Sequence, residues 1–395
     1  MQTIGTFTRS LALAGALSAG SGAAQLRIDG APSSLLALLD AARVRLPAAE
    51  PHTGHDLARV LQGLLRLGDE RTARTLLQGF ERATREPIDT DLAWLCAAHL
   101  WFERTTGDRS LAVPVWRRRA AHLLAAAPDA HAPFCEQAMQ VHARLCWAEL
   151  GGPDDAADAT TLRQRAIAQL LELERQTWQP GRQHFRTLPS AGAIALPSPA
   201  DDSLLVPASA GMLVASGDRL LRHLGATLTA LHATDPVDAR PSRVASVAPA
   251  ALRLAAATQL DDSPLREHYF RQLTTSPIAA DPAECGLQLD SACQALSGLR
   301  VAVGAGVDPV WLRLAPWLPD GCASTTVDGM LARGCALRLE LNRVPSSDGT
   351  LLDVTVHRTD RGRPLALPIV VASGAQQWLA LLAADESFRC SWPIR

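Results

Sequence analysis

Three helix-forming stretches of this chain, Asp56 to Gly68, Asp89 to Phe102 and Pro133 to Leu150, are apolar nearly all the way round. They alternate with three others, Glu70 to Glu86, Asp108 to Ala127 and Thr160 to Gln176, that carry enough Arg and Glu to keep one face in water. A helix that is apolar on every side must be covered on every side, whereas a one-sided helix packs against it and faces solvent. The alternation therefore predicts helical hairpins in two layers, with the apolar helices inside. Each apolar stretch also has a carboxylate in or just before its first turn. Hairpins that run up and down with short links start all their inner helices at one end. Asp56, Asp89 and Glu136 then converge on one mouth, a place for acid and base chemistry on a neutral substrate.

The punctuation fits this pattern. Gly68-Asp69 and Gly107-Asp108 end two inner helices and Gly151-Gly152-Pro153 closes the third, each with a glycine able to take the left-handed cap conformation. A Pro-rich loop follows from Trp178 to about Asp202. Helical patterning resumes over Ser203 to Ala233, Val244 to Leu260, Pro264 to Leu273 and Leu287 to Val303. After Val310 the grammar changes to alternation. Thr325 to Met330, Cys335 to Asn342, Leu351 to Arg358 and Leu365 to Ala372 read as strands, with Ser346-Ser347-Asp348-Gly349 as a hairpin turn, and Gln376 to Ala384 reads as a short terminal helix.

Composition excludes several classes of partner. A net charge of −2 with no basic stripe argues against nucleic acid. No stretch approaches the roughly 20 apolar residues of a membrane span. The eight cysteines show no CxxC and no Cys/His ligand spacing, so no metal site is expected; Cys96 and Cys146 read as buried free thiols. Arg9, Leu11 to Ala19 and the small residues Ser21 to Ala24 have the makings of a signal peptide. The apolar run is short and broken by Gly15 and Gly20, so a cytoplasmic location is favoured and export is the alternative.

In order and content the motifs resemble the six-hairpin (α/α)6 glycosidases, most of all the amylo-α-1,6-glucosidase part of glycogen debranching enzymes. That family's Gly-Arg-Asp-Thr turn and following helices are matched by Gly54-His55-Asp56-Leu57, Leu64 to Gly68, Ala73-Arg74 and Leu76 to Phe80. Its "VD.TLW" and "TGD" are matched by Ile88 to Trp94 and Thr106-Gly107-Asp108. A later "VE.QALW" helix is similar to Cys135-Glu136-Gln137-Ala138-Met139 and Trp147 to Leu150. Cys293 to Ser297 and Leu314 to Pro319 resemble its exit into a β-module. The chain departs from the pattern at His55, which replaces the arginine of the turn, and between Asp108 and Glu136, where a charged outer helix stands in place of the family's acid-bearing insert.

The resemblance implies a mainly α fold, an (α/α)6-type toroid of helical hairpins followed by a small antiparallel β module. The expected division is an N-terminal segment 1–30, a toroid 31–305 and a β module 306–395. The implied activity is hydrolysis of an α-glucan or related oligosaccharide without a cofactor, by one protonated and one ionised carboxyl in an inverting geometry. Glu136 and Asp89 are the catalytic candidates; Asp56, His55, Trp94 and Gln137 are the substrate-binding ones. Asp201, Asp202, Glu284 and His131 are further polar candidates. First-turn carboxylates also cap helices, so each has a purely structural reading as well. The rivals are a non-catalytic carbohydrate- or protein-binding descendant and an open α-hairpin scaffold with no central site.

Overall fold

A computed structural model describes residues 25–83, 89–108, 110–111, 134–150, 156–181, 184–185, 205, 218–233, 247–299, 311–360, 366–374 and 376–394. Its helices are α1 (Ser33–Arg45), α2 (Gly54–Leu67), α3 (Glu70–Ala83), α4 (Asp89–Thr106), α5 (Phe134–Leu150), α6 (Ala156–Thr177), α7 (Asp218–Ala233), α8 (Ala248–Leu260), α9 (Ser263–Thr275) and α10 (Pro282–Ser297). The molecule is mainly helical, with a separate, largely antiparallel β portion towards the C-terminus.

The apolar helices form the inner layer. α4 is buried continuously from Ala93 to Glu103, α8 from Ala250 to Gln259, and α10 leaves only Pro282, Glu284 and Gln294 partly exposed. Inner neighbours pack side by side in the order α8, α10, α2, α4, α5. The one-sided helices lie against them: α1 on α10, α3 between α2 and α4, α6 on α5, α7 on α8, and α9 between α8 and α10. Outer and inner helices alternate in chain order from α1 to α4 and again from α7 to α10, and the last described hairpin returns to pack on the first.

That return contact is tight. Gly63 of α2 meets Gly286 of α10, where an added Cβ would stand 2.8 Å from the Gly286 Cα. One turn further, Arg66 Nε donates to Asp290 Oδ1 at 2.5 Å across 224 residues of sequence, and Gln294 Nε2 donates to Asp290 Oδ2 at 2.6 Å. Asp290 is 4% exposed. Removing one partner of a buried pair strands the other charge, so Arg66→Met should destabilise the fold by about 3 kcal/mol in urea titration. A loss under about 1 kcal/mol would mean that the pair carries no closing load.

The inner helices point the same way. Gly54 N–H, at the start of α2, donates to Asp91 Oδ1 of α4 at 2.7 Å, and Arg104 and Glu149 pair at 2.5 Å near the ends of α4 and α5. The trailing carbonyls, unsatisfied within a helix, are taken up by the C-terminal strands and their links. Arg333 and Gly334 N–H donate to Arg104 O and Thr105 O at 2.7 and 2.8 Å, and Trp317 N–H to Leu296 O at 3.0 Å. Leu26 N–H reaches Leu67 O at 3.2 Å. The β portion therefore covers the trailing end of the inner helices and leaves the leading end for a site.

It consists of two main sheets. β1 (Arg27–Asp29), β5 (Ser324–Ala332), β6 (Cys335–Ser346), β7 (Gly349–Arg358) and β10 (Ser387–Pro393) form an antiparallel sheet in the order β1-β5-β6-β7-β10. β4 (Leu312–Leu314), β8 (Leu367–Ser373) and β9 (Gln376–Leu382) form the second, with β4 parallel to β8. Trp378 of β9 stacks on Trp392 of β10 at 5.1 Å and joins the two. The short strands β2 (Trp178–Gln179) and β3 (His184–Phe185) pair within the preceding loop.

Several expectations need correction. Gln376 to Ala384 is not a helix: β9 runs antiparallel to β8 with Ile369 opposite Ala380, because cross-strand pairing overrides the helix propensity of its Leu and Ala. α10 starts at Pro282 rather than Leu287, since Asp281 accepts the Glu284 N–H at 2.9 Å and proline is tolerated at the first helical position. It stops at Ser297, where Gly298 turns left-handed (φ 59°), rather than running to Val303. Strands β1 and β10 were not expected. The segment 1–24, His131, Gly151 to Pro153, Asp201-Asp202 and most of the outer helix Asp108 to Ala127 lie outside the described residues.

Candidate functional site

The leading ends of α2, α4 and α10 meet. α2 opens with Thr53 as its cap, whose Oγ1 accepts the Asp56 N–H at 3.0 Å. A first-turn carboxylate here also favours the helix through its dipole, so Asp56 has structural work irrespective of any ligand. The adjacent His55 lies over Trp94 of α4, with ring centroids 4.6 Å apart and planes tilted by 54°. Trp94 is 7% exposed and His55 partly exposed, so the indole backs the imidazole from the inner side. Burial, reinforced by Arg59, pushes the His55 imidazole down to about 4 against the pull of Asp56. The ring is therefore neutral near pH 7, one nitrogen donating and the other accepting.

Arg59 belongs to the same group, one turn along α2 from His55. Its partly buried guanidinium is held below its ordinary range by burial and stabilised, in decreasing order, by Glu284, Asp56 and Asp281. The backbone fixes this neighbourhood: an added Cβ on Gly286 would lie 3.0 Å from the Arg59 carbonyl carbon. Among the described residues, the side chains of His55, Asp56 and Arg59 make no hydrogen bond to another residue. The start of α2 thus carries a neutral imidazole, a guanidinium and the Asp56 carboxylate, none of which donates to or accepts from another described residue.

The other sequence candidates are placed as follows. Asp89 opens α4, but its side chain lies outside the described residues. Glu136 sits partly exposed in the first turn of α5, and Gln137 beside it is buried. Neither has a described contact with His55, Asp56 or Arg59. Asp91, Asp281 and Glu284 are carboxylates that the helix starts bring towards α2. Arg59 was missed by sequence reasoning, although its spacing of three and four residues from Asp56 and His55 puts all three on one helix face. Among the described residues no group of three or more His, Cys, Asp or Glu is placed to hold a metal ion.

Away from the mouth, Cys96, Cys146, Cys285, Cys293, Cys335 and Cys390 are buried free thiols and Cys322 is partly exposed. Burial pushes Cys96 and Cys293 up to about 12, so these are packing residues rather than nucleophiles. No described helix is long and apolar enough to cross a membrane.

No family model and no curated protein matches the chain. Solved structures do match its fold. One, described as "Putative kojibiose phosphorylase from human microbiome", superposes with a TM-score of 0.52 at 10% sequence identity over 93% of this chain. The present chain spans 60% of the length of that structure. At this identity the likeness is one of fold alone, mainly helical with a separate antiparallel sheet.

Proposed function

We propose that the chain is a glycoside hydrolase-like protein built as a closed (α/α)6 toroid, and that its mouth binds an α-glucan or related oligosaccharide. The observation that carries this reading is the meeting of the inner helix starts at the end opposite the sheets, with His55, Asp56 and Arg59 holding unspent hydrogen bonds. Sugar hydroxyls match such a set, each able to donate to a carboxylate and accept from a guanidinium. The return of α10 onto α2 supports closure, since an open superhelix keeps its first and last hairpins apart. The name of the solved neighbour, a kojibiose phosphorylase, points to sugar chemistry on this fold.

Cleavage would use two carboxylates, one giving its proton to the glycosidic oxygen and the other activating water on the opposite face. Asp89 and Glu136 are assigned these roles, with Asp56, His55 and Gln137 binding substrate and Trp94 supporting His55. A carbohydrate-binding protein without turnover is the second reading, favoured by the charged segment that replaces an acid-bearing insert between Asp108 and Glu136.

Incubation with α-1,4 and α-1,6 gluco-oligosaccharides tests both. The expected result is sugar release that falls at least about a thousandfold in Asp89→Asn and in Glu136→Gln, while Asp56→Asn and His55→Ala weaken binding about tenfold each. Release unaffected by either carboxylate change discards the assignment. Binding without release selects the second reading, and no binding in calorimetry rejects both.

A further inference from the structure

Four strands form the edges of the two main sheets, and three of them are protected. β1 has three residues, two of them the charged Arg27 and Asp29; β4 has three, with Arg313 at its centre; β10 carries Arg389 and Pro393. Shortness, charge and proline are what keep an open edge from pairing with another chain. β9 has none of the three. It runs for seven residues, Gln376 to Leu382, without a charge or a proline, and its described ladder is with β8 alone.

Its outward side chains are apolar as well. Trp378, Ala380 and Leu382 pack on the core, whereas Leu379 and Leu381 are 61% and 63% exposed. Opposite these two on β8 stand Val370 and Pro368, both half-buried, so the outer face of the sheet is a patch of four apolar side chains that ends at the open edge. The other exposed large apolar residues among the described ones, Val44, Leu171 and Val344, lie on three different elements.

We infer that β9 is the seam of a homodimer: two copies pair their β9 strands antiparallel about a two-fold axis at Ala380, joining two three-stranded sheets into one of six strands. The occupant is a second copy because an antiparallel edge is complementary to itself. A two-fold rotation brings the same donors and acceptors into register and closes the assembly at two. β9 offers no charge by which a foreign strand would be chosen. With the axis at Ala380, Leu379 of each copy faces Leu381 of the other, and the four leucines cover one another at cross-strand distances of about 5 Å. Residues 376–384, which span the seam, hold no charge, so no like charges are brought opposite. Gly374 N–H, just before β9, donates to Asp261 Oδ2 at 2.6 Å, at the trailing end of α8. Pairing there leaves the leading ends of the inner helices open, and this inference is independent of what they bind.

Sedimentation velocity of the full chain over a dilution series tests it. A dimer with a dissociation constant of about 10 μM or tighter is expected. Leu379→Lys with Leu381→Lys should weaken it at least about a hundredfold, since like charges then oppose across the seam, and Leu379→Glu with Leu381→Glu should do the same. Mixed in equal amounts, the Lys and Glu variants should pair with each other, because the register sets Lys against Glu. All four substitutions are at exposed positions, and circular dichroism with thermal melting checks that both variants fold like the parent. A parent chain that stays monomeric at about 100 μM overturns the inference, whatever other protein binds the strand. So does a dimer that both variants leave intact, a parent that forms only larger aggregates, or Lys and Glu variants that remain monomeric when mixed.

Discussion

Gly286→Val should unfold the helical layer at temperatures the unaltered protein tolerates, at a cost of about 3 kcal/mol or more. The clash is with backbone on both sides. A Cβ at Gly286 lies 3.0 Å from the Arg59 carbonyl carbon and 3.3 Å from the Val60 Cα, and Gly63 on the facing helix is as confined. Neither helix can retreat, because Arg66 and Asp290 pin them one turn further on. The contrast is Gly79, on the exposed side of α3, where an added Cβ meets nothing within 4 Å. Gly79→Ala should stabilise by up to about 1 kcal/mol, as for glycine in any solvated helix interior. Chemical denaturation of the two variants side by side decides the matter; a Gly286→Val protein as stable as its parent would show that α2 and α10 do not pack as described.

Acid should be nearly as damaging. His142, within α5, is fully buried, with its Nε2 3.4 Å from the Cys146 sulfur, and burial pushes it down to about 3. His55 is pushed down to about 4. Both begin from an ordinary value of 6.5, so between that pH and their folded values the unfolded chain takes up two protons that the folded chain refuses. Their contribution is fully present above pH 6.5 and is lost as the pH falls through this window. Each histidine removes about 1.4 kcal/mol per pH unit, or about 2 kcal/mol by pH 5. His142→Leu should flatten the fall in melting temperature between pH 6.5 and 4.5 by close to half. A slope equal to that of the parent protein would mean that His142 titrates freely.

The local elements were largely legible in the sequence. α2 was readable from the Asp56 start and the Gly68 stop, and the apolar-all-round pattern of α4 and α5 correctly placed them inside. β9 was misread because Trp378 to Leu382 has helix-forming composition, and only its pairing with β8 makes it a strand. β1, at three residues, is too short to show alternation. The contact between α2 and α10 was illegible for a different reason: it depends on two isolated glycines and one ion pair far apart in sequence. At the helix starts, His55 and Asp56 stand in the turn motif and Trp94 in the motif that opens α4, whereas Arg59 gains its neighbours only when α10 packs on α2.

Strand β1 carries a further consequence, one of timing. Arg27 pairs with Asp328, about 300 residues later. At the ~5–20 residues per second of protein synthesis, the first strand waits on the order of tens of seconds for its partner. During that interval the ribosome has delivered the helices, but the carbonyls at their trailing ends still have water in place of strand amides. The nascent chain therefore passes through a stage in which the helices are made but their trailing ends are half-capped, and that stage lasts until β5 and the strands beside it have been synthesised.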